Sequence, residues 1–467
     1  MKGQFGILRQ HTFRHVFLAR AVSLLGTAIA PIALAFAVLG QPGGTATKLG
    51  VVMASEAAAQ VVFLLAGGVL ADRFSRYRLM VGSDLIAFAA QGSVAGLFIS
   101  GAAPLGLIAA LSAATGAASG IFYPSSRGLI PQIVDGPQLQ SANALIRLSQ
   151  NTAALAGASI SGVIIVGVGA GWALAIDAVS FLVSAGLLLT SRAPRARPAE
   201  EGMRIIADLR EGWQEVRSRQ WLWVCIAQFA VVNLCEPPSI NVLGPVVARQ
   251  HYGGALAWSV IITAQALGLI AGSLLAMRLR PAFPLLVATI ITFGVVPPFF
   301  LLAFHAPVWL VAASMLAVGV SIDVYEVLWL TAVQEHIPGD KLSRVTSWDA
   351  LGAFALEPVG LVLVGPVSAI LGTQRTLICA GSLVAIANLG ALLTRSVRRL
   401  PARPPVVMGR CGRTLVLCHG IGGRAARDRA ARGDRGGYRH PGRQRGRPRA
   451  RHPQAAGAGR GGLHRRS

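Results

Sequence analysis

The chain has 467 residues, of which 53% are hydrophobic and only 13% charged, with a mean hydropathy of +0.58 and a formal net charge of +24 at pH 7. So much apolar surface cannot be hidden in a water-soluble core of this size, which excludes a soluble enzyme or binding module and leaves a polytopic membrane protein. A bilayer offers no water to unpaired backbone groups, and apolar runs of about 20 residues suit helices rather than barrel strands of about ten, so the expected fold class is all-α.

In chain order, apolar runs at 17–39, 47–71, 79–100, 104–124, 143–168 and 171–190 predict six transmembrane helices. The first is longer than a signal-peptide core and lacks a small-residue cleavage site, so it is read as a retained helix. Arg192 to Gln220 is rich in Pro, Arg and Glu, and its 203–213 part is expected to form an amphipathic helix on the membrane surface. Runs at 221–248, 255–277, 284–304, 307–332, 348–370 and 375–394 predict six more spans. The expected architecture is twelve transmembrane helices in two six-helix pseudo-symmetric bundles, 1–191 and 221–396, joined by a cytoplasmic linker at 192–220 and followed by an Arg-rich tail at 397–467.

Orientation follows from the basic residues, because short cytoplasmic loops accumulate Lys and Arg. With the N-terminus inside, the inner segments hold Lys2, Arg9 and Arg14, then Arg73, Arg76 and Arg78, then Arg127, the linker arginines, Arg278 and Arg280, Lys341 and Arg344, and Arg395, Arg398 and Arg399. The outer loops hold only Lys48, Arg249 and Arg375. Both termini are therefore expected in the cytoplasm, with the chain multi-pass in the inner (plasma) membrane.

The most informative stretch is Gly67 to Arg78, which places Asp72 and the arginines 73, 76 and 78 between two long apolar runs. Gly68-Val69-Leu70-Ala71-Asp72-Arg73 has a counterpart 204 residues on, Gly272-Ser273-Leu274-Leu275-Ala276-Met277, followed by Arg278 and Arg280. A second, looser pair, Ile130 to Ser141 and Gln334 to Arg344, recurs at nearly the same offset. Two parallel repeats of this size are an arrangement of alternating-access carriers, with the site at the repeat interface. Ala276 stands where Asp72 would recur, so only the first half keeps the carboxylate.

On these residues the chain resembles the major facilitator superfamily, over about residues 10 to 396. The family's loop signature runs Gly-x-Leu-Ala-Asp-Arg-x-Gly-Arg; Gly68, Leu70, Ala71, Asp72, Arg73 and Arg76 match it, while Ser75 replaces the second glycine. Phe122 to Pro131, Ser141 to Leu145 and Ala175 to Phe181 are similar to the branch of bacterial siderophore exporters and macrolide-efflux-like carriers. The resemblance implies secondary transport, usually proton-driven, and an inner gate formed by Gly68, Leu70, Asp72, Arg73 and Arg76. In that gate Asp72 accepts hydrogen bonds from the amides at the start of the eleventh helix, near Ser347. Two motifs depart from proton-coupled relatives. Ser112 stands where an Arg would precede Gly116, and Gly157 to Gly162 reads Gly-Ala-Ser-Ile-Ser-Gly rather than Gly-Pro-x-x-Gly-Gly.

Ionisable groups within spans are costly and tend to face a cavity. Glu236 and Glu357, each followed by proline, lie near mid-depth, and Asp323 and Glu326 are three apart on one helix; all four are candidates for substrate binding or proton coupling. Glu56 is in the second span, and Asp177 is read as structural. Arg20 and Arg147 are read as snorkelling to the inner face. Cys225, Cys235 and Cys379 read as small apolar core residues, and Cys411 and Cys418 lack the partners of a metal site.

From Pro401 onward seventeen arginines stand against two aspartates, without hydrophobic periodicity. The segment reads as disordered: sequence resembling a GC-rich message translated out of frame, a tether to membrane lipid, or a nucleic-acid-binding arm. No nucleophile–base pairing, phosphate loop, metal site or cofactor motif appears. The chain is therefore expected to be a monomeric exporter of a drug-like compound or siderophore, with protons and membrane lipids as partners and no specific nucleic acid. The alternatives are an uptake carrier of the same fold and a membrane-tethered nucleic-acid-binding protein.

Overall fold

The structure, a computed structural model, describes residues 10–134, 138–190, 205–338, 341, 345, 348–349, 352 and 355–402; the side chains of 65, 68–69, 71–73, 131, 139–141, 144 and 205–211 lie outside that description. The described chain is helical throughout, because a helix satisfies its backbone within one segment. The first half comprises α1 (His11–Gly40), α2 (Ala46–Arg73), α3 (Arg76–Ser100), α4 (Leu105–Ile133), α5 (Leu139–Val168) and α6 (Ala170–Leu189). The linker helix α7 (Ile205–Ser218) is amphipathic, as its sequence requires. The second half comprises α8 (Gln220–Pro238), α9 (Gly244–His251), α10 (Ala255–Arg278), α11 (Pro284–Thr292), α12 (Pro297–Ala303), α13 (Val308–His336), α14 (Glu357–Leu371), α15 (Thr373–Leu393) and the short α16 (Arg395–Arg398).

Ten helical passages are long and apolar enough to cross a membrane among the described residues. The other two are residues 220–251, interrupted and rich in polar groups, and the passage ending in α14, whose described helix is shorter. Pro237 and Pro238 do not end the passage. Both prolines lie within α8, and a π-helical turn, Ser239–Leu243, carries the passage on into α9. Two successive prolines lack amide hydrogens, so carbonyls one turn earlier lose their partners, and a wider turn re-aligns the ladder.

Tight far-end turns are set by their residues. The Thr45 side chain accepts the Lys48 amide at 3.3 Å and caps α2, and Gly101 ends α3 with φ of 73°. At the opposite, linker end, α2 stops at Arg73 and α3 starts at Arg76, so Phe74 and Ser75 alone make the hairpin turn.

Within the first bundle α4 packs on α2 and α3, while α6 packs on α1 and α3. The second bundle repeats this pattern, with α10 on α13 and α8 on α14 and α15. The repeat extends to close contacts: a β-carbon on Gly116 would strike the Glu56 carbonyl, and one on Gly319 the Gln265 carbonyl. Polar pins supplement the packing. Ser184 donates to Asp84 at 2.6 Å, Gln91 donates to Asp177 at 2.9 Å, and Gln228 donates to Asn388 at 2.8 Å, which in turn donates to the Thr292 carbonyl. Inside a bilayer such bonds contribute about 0.6 kcal/mol each on average. Cys225 and Cys235 are buried as expected, but Cys379 is exposed on α15 and is not a core residue.

Buried apolar side chains reveal how the bundles meet. At the far end one continuous core runs from Ile29–Leu39, Leu49 and Val52 through Ala158 to Leu243, Trp258, Phe299, Leu361 and Val364, drawing on both bundles. At the linker end the buried apolar residues among those described fall into separate clusters. Phe13, Met80, Leu129 and Leu145 form one cluster in the first bundle, and Leu222, Leu285, Tyr325, Trp329 and Val333 another in the second.

Candidate functional site

Two helix pairs make the fused end. On one side Gly50 of α2 approaches the Leu361 carbonyl of α14, and Gly365 approaches Thr47. On the other, Ser259 of α10 donates to the Ala158 carbonyl of α5 at 2.5 Å, and Ser159 and Thr263 share a hydrogen bond at 3.3 Å. A β-carbon on Gly162 would lie 2.6 Å from that of Ser259, so backbone approach here depends on glycine.

Beneath this seal, near mid-depth, the bundles bring carboxylates together. Glu56 is ten residues from the far end of α2, Glu236 lies one residue before the paired prolines of α8, and Glu357 opens α14. Glu357 is within electrostatic range of both Glu56 and Glu236, and Glu56 in turn of Asp177. All three glutamates are half-buried, and no cation among the described residues contributes to the electrostatic environment of any of them. Such an arrangement binds positive charge, whether a proton or a cationic group. Glu236 and Glu357 are two of the four acidic residues singled out from the sequence. Glu56, contributed by the other bundle, was visible there only as an ionisable residue in a span.

The other acidic pair is separated by its surroundings. Asp323 is buried and accepts a hydrogen bond from Ser273 at 2.5 Å, tying α13 to α10. Glu326, one turn on, is 53% exposed and meets Arg147 of the first bundle at 3.5 Å. Arg20 does not snorkel: it is buried and donates to Ser126 at 2.9 Å, while Arg127 lies over the Tyr123 ring.

Of the expected gate, Leu70 accepts the capping Phe74 amide at 2.8 Å, and Arg76 donates to the Gly128 carbonyl at 2.6 Å, fixing the hairpin turn to α4. The side chains of Gly68, Asp72 and Arg73 lie outside the described residues, as does Ser347, the expected start of the eleventh helix. Asp84, missed from the sequence, is a buried pin between α3 and α6.

The linker helix is bound to the second bundle. Glu215 pairs with Arg219 at 2.6 Å and Lys341 at 3.0 Å, Arg219 donates to the His336 carbonyl, and the rings of Trp213 and Trp348 lie 5.0 Å apart. Hydrogen bonds from Lys341 and Arg219 hold the Glu215 carboxyl below its usual range.

Two helical bundles sealed at one end, divided at the other and sharing carboxylates between them define a membrane transporter. The chain belongs to the major facilitator superfamily, whose family model matches residues 16–356. It is 24% identical over 429 residues to the enterobactin exporter EntS of Citrobacter koseri, covering 86% of this chain and 97% of that protein. It is 21% identical over 394 residues to macrolide efflux protein A of Streptococcus pyogenes, covering 83% and 97%. The nucleoside transporter NupG superposes with a TM-score of 0.65 at 11% identity, covering 82% of this chain and 98% of that one, which shows the shared fold.

Proposed function

We propose that this protein exports a small organic molecule, of the drug-like or siderophore class, across the inner membrane by alternating access coupled to protons. The observation that carries the reading is the shared carboxylate site, Glu56, Glu236 and Glu357, lying between a fused far end and a divided linker end. A site so placed communicates with one side at a time. The names of EntS and macrolide efflux protein A support export.

The distribution of basic residues supports a cytoplasmic linker end, with both termini on that side. On that reading the structure is inward-facing. Residues 1–191 and 221–396 are the moving bodies, and the linker helix travels with the second. Asp72 acts as the latch of the inner gate, with Gly68, Leu70, Arg73 and Arg76 shaping its turn. The protein works as a monomer in contact with membrane lipids, and transport does not depend on residues 401–467. Asp323 and Glu326 serve the same cycle from α13.

The test is reconstitution in liposomes with an imposed pH gradient and candidate compounds drawn from a growth-inhibition panel. Outward flux that follows the gradient is expected. Flux indifferent to the gradient removes the coupling, and accumulation inside overproducing cells reverses the direction.

A further inference from the structure

Arg20 is 8% exposed, and its Nη1 donates to the Ser126 hydroxyl at 2.9 Å. That hydroxyl gives its own hydrogen to the Tyr123 carbonyl at 3.0 Å, so toward Arg20 it acts as an acceptor only. Arg127 and the Tyr123 phenol are within electrostatic range of Arg20, and the Arg127 guanidinium stacks 4.5 Å from the centroid of the Tyr123 ring. Among the described residues no carboxylate pairs with Arg20 or Arg127.

We propose that Arg20, Arg127 and Tyr123 form an oxyanion site on the linker side of the first bundle, which takes a compact phosphate or carboxylate group. Two sources carry that chemistry: the headgroup of an anionic phospholipid, and a free oxyanion or acidic small molecule. The site needs only the first bundle, so it stands apart from the export reading and from the carboxylates, whose charge is opposite.

An arginine cannot escape burial by losing its proton, so its charge has to be met by something else. A neutral serine hydroxyl engages a single N–H of Arg20, and a second guanidinium nearby adds repulsion. An oxyanion between the two arginines removes both costs, because the guanidinium fork matches the paired oxygens of phosphate or carboxylate. Stacking on Tyr123 occupies the face of the Arg127 guanidinium and leaves its N–H edge for a ligand. The Tyr123 phenol supplies a further O–H donor.

Helix geometry fixes the depth of this group. Arg20 is twenty residues from the far end of α1 and Ser126 twenty-one from the far end of α4, which sets both about 30 Å from that end. The hydrocarbon layer is about 30 Å thick, so the group stands at its linker-side edge, the level of lipid phosphates. Glu56, ten residues from the far end of α2, lies about 15 Å nearer that end. The group also sits where helices part. Within the bundle α1 packs chiefly on α5 and α6, and α4 on α2 and α3, so the bond from Arg20 to Ser126 bridges a seam between sparsely touching helices. Such a seam gives a ligand access to a guanidinium whose stem is buried. Arg76, bound to the Gly128 carbonyl next to Arg127, adds to the positive field.

The test follows thermal unfolding of the full chain in lipid nanodiscs at low ionic strength, in phosphatidylcholine alone and in phosphatidylcholine with phosphatidylglycerol. Inorganic phosphate is titrated into each, with chloride at matched ionic strength as the reference. A saturable rise in Tm with phosphate in phosphatidylcholine assigns a free oxyanion. A rise on adding phosphatidylglycerol that makes phosphate redundant assigns the lipid headgroup. Arg127→Gln, at an exposed position, should raise the half-saturating phosphate concentration, or phosphatidylglycerol fraction, by about ten-fold. Arg20→Met should abolish the response, and without phosphate in phosphatidylcholine it should unfold no lower than the unaltered protein, because it deletes an uncompensated charge. A purely structural arginine gives the opposite pattern, a lowered Tm in every condition with the anion response intact, and that overturns the site. So does an unaltered protein whose Tm follows neither anion beyond the chloride reference. If Arg20→Met does not fold, Arg127→Gln and Tyr123→Phe carry the test, and anion responses identical to that of the unaltered protein overturn the site in the same way.

Discussion

Gly50 of α2 lies against the carbonyl oxygen of Leu361 of α14, so that no β-carbon fits between them. This contact belongs to the continuous far-end core that spans both bundles. Its tightness identifies the far end as the closed one in this state.

Replacing Gly50 by Val should therefore force α2 and α14 apart. Overpacking of this kind costs about 1–3 kcal/mol where neighbours cannot yield, and here the neighbour is backbone. The expected outcome is greater labelling of a cysteine placed at Thr47 by a membrane-impermeant reagent, by about ten-fold. Unchanged labelling would mean that the far end tolerates the side chain without opening.

Glu236→Gln and Glu357→Gln remove charge while keeping shape. In the liposome assay each should reduce gradient-driven flux about ten-fold or more, while leaving thermal stability within about 1 kcal/mol. Glu56→Gln should do the same from the opposite bundle. Stability losses without a change in coupling would assign these residues to packing.

Asp177→Ala should act in the reverse way. It leaves the buried Gln91 amide without its acceptor, so a loss of about 1–3 kcal/mol is expected. Thermal unfolding of the detergent-solubilised protein measures it, and the residual folded protein should retain its flux.

The Glu215 anchor predicts a pH dependence of the linker. Its carboxyl is held below the ordinary 4.5, first by the hydrogen bond from Lys341 and then by that from Arg219. A depressed folded-state value means the stabilisation is present above about pH 4.5 and is lost as pH falls through that lower value. Hydrogen-exchange protection of α7, taken relative to the intrinsic rate at each pH, should be high at neutral pH and fall under acid, and Glu215→Gln should show low protection throughout.

Much of the fold was legible because its driving pattern is local. Long apolar runs, the basic loops and the charged turn at Phe74 and Ser75 each report on a few neighbouring residues, and the helices begin and end close to where these signals change. Local departures from regular helix have local causes too, as at Pro237 and Pro238, which are followed by a π turn. The site was legible only in part. Sequence gives a residue's depth along a helix, but the rotation of that helix is set by packing against all the others. Asp323 and Glu326 therefore part company, one toward Ser273 and the other toward Arg147. For the same reason Glu56 joins Glu236 and Glu357, although nothing near it in the chain singles it out.

In the proposed cycle the two ends open alternately around the shared carboxylates. Its most direct test is to measure two distances in one reconstituted protein, Ala102 to Gln374 across the far end and Arg14 to Arg399 across the linker end, at pH values on either side of neutrality and with substrate. Alternating access requires the far-end distance to lengthen as the linker-end distance shortens. Distances that stay fixed, or that lengthen together, would contradict it.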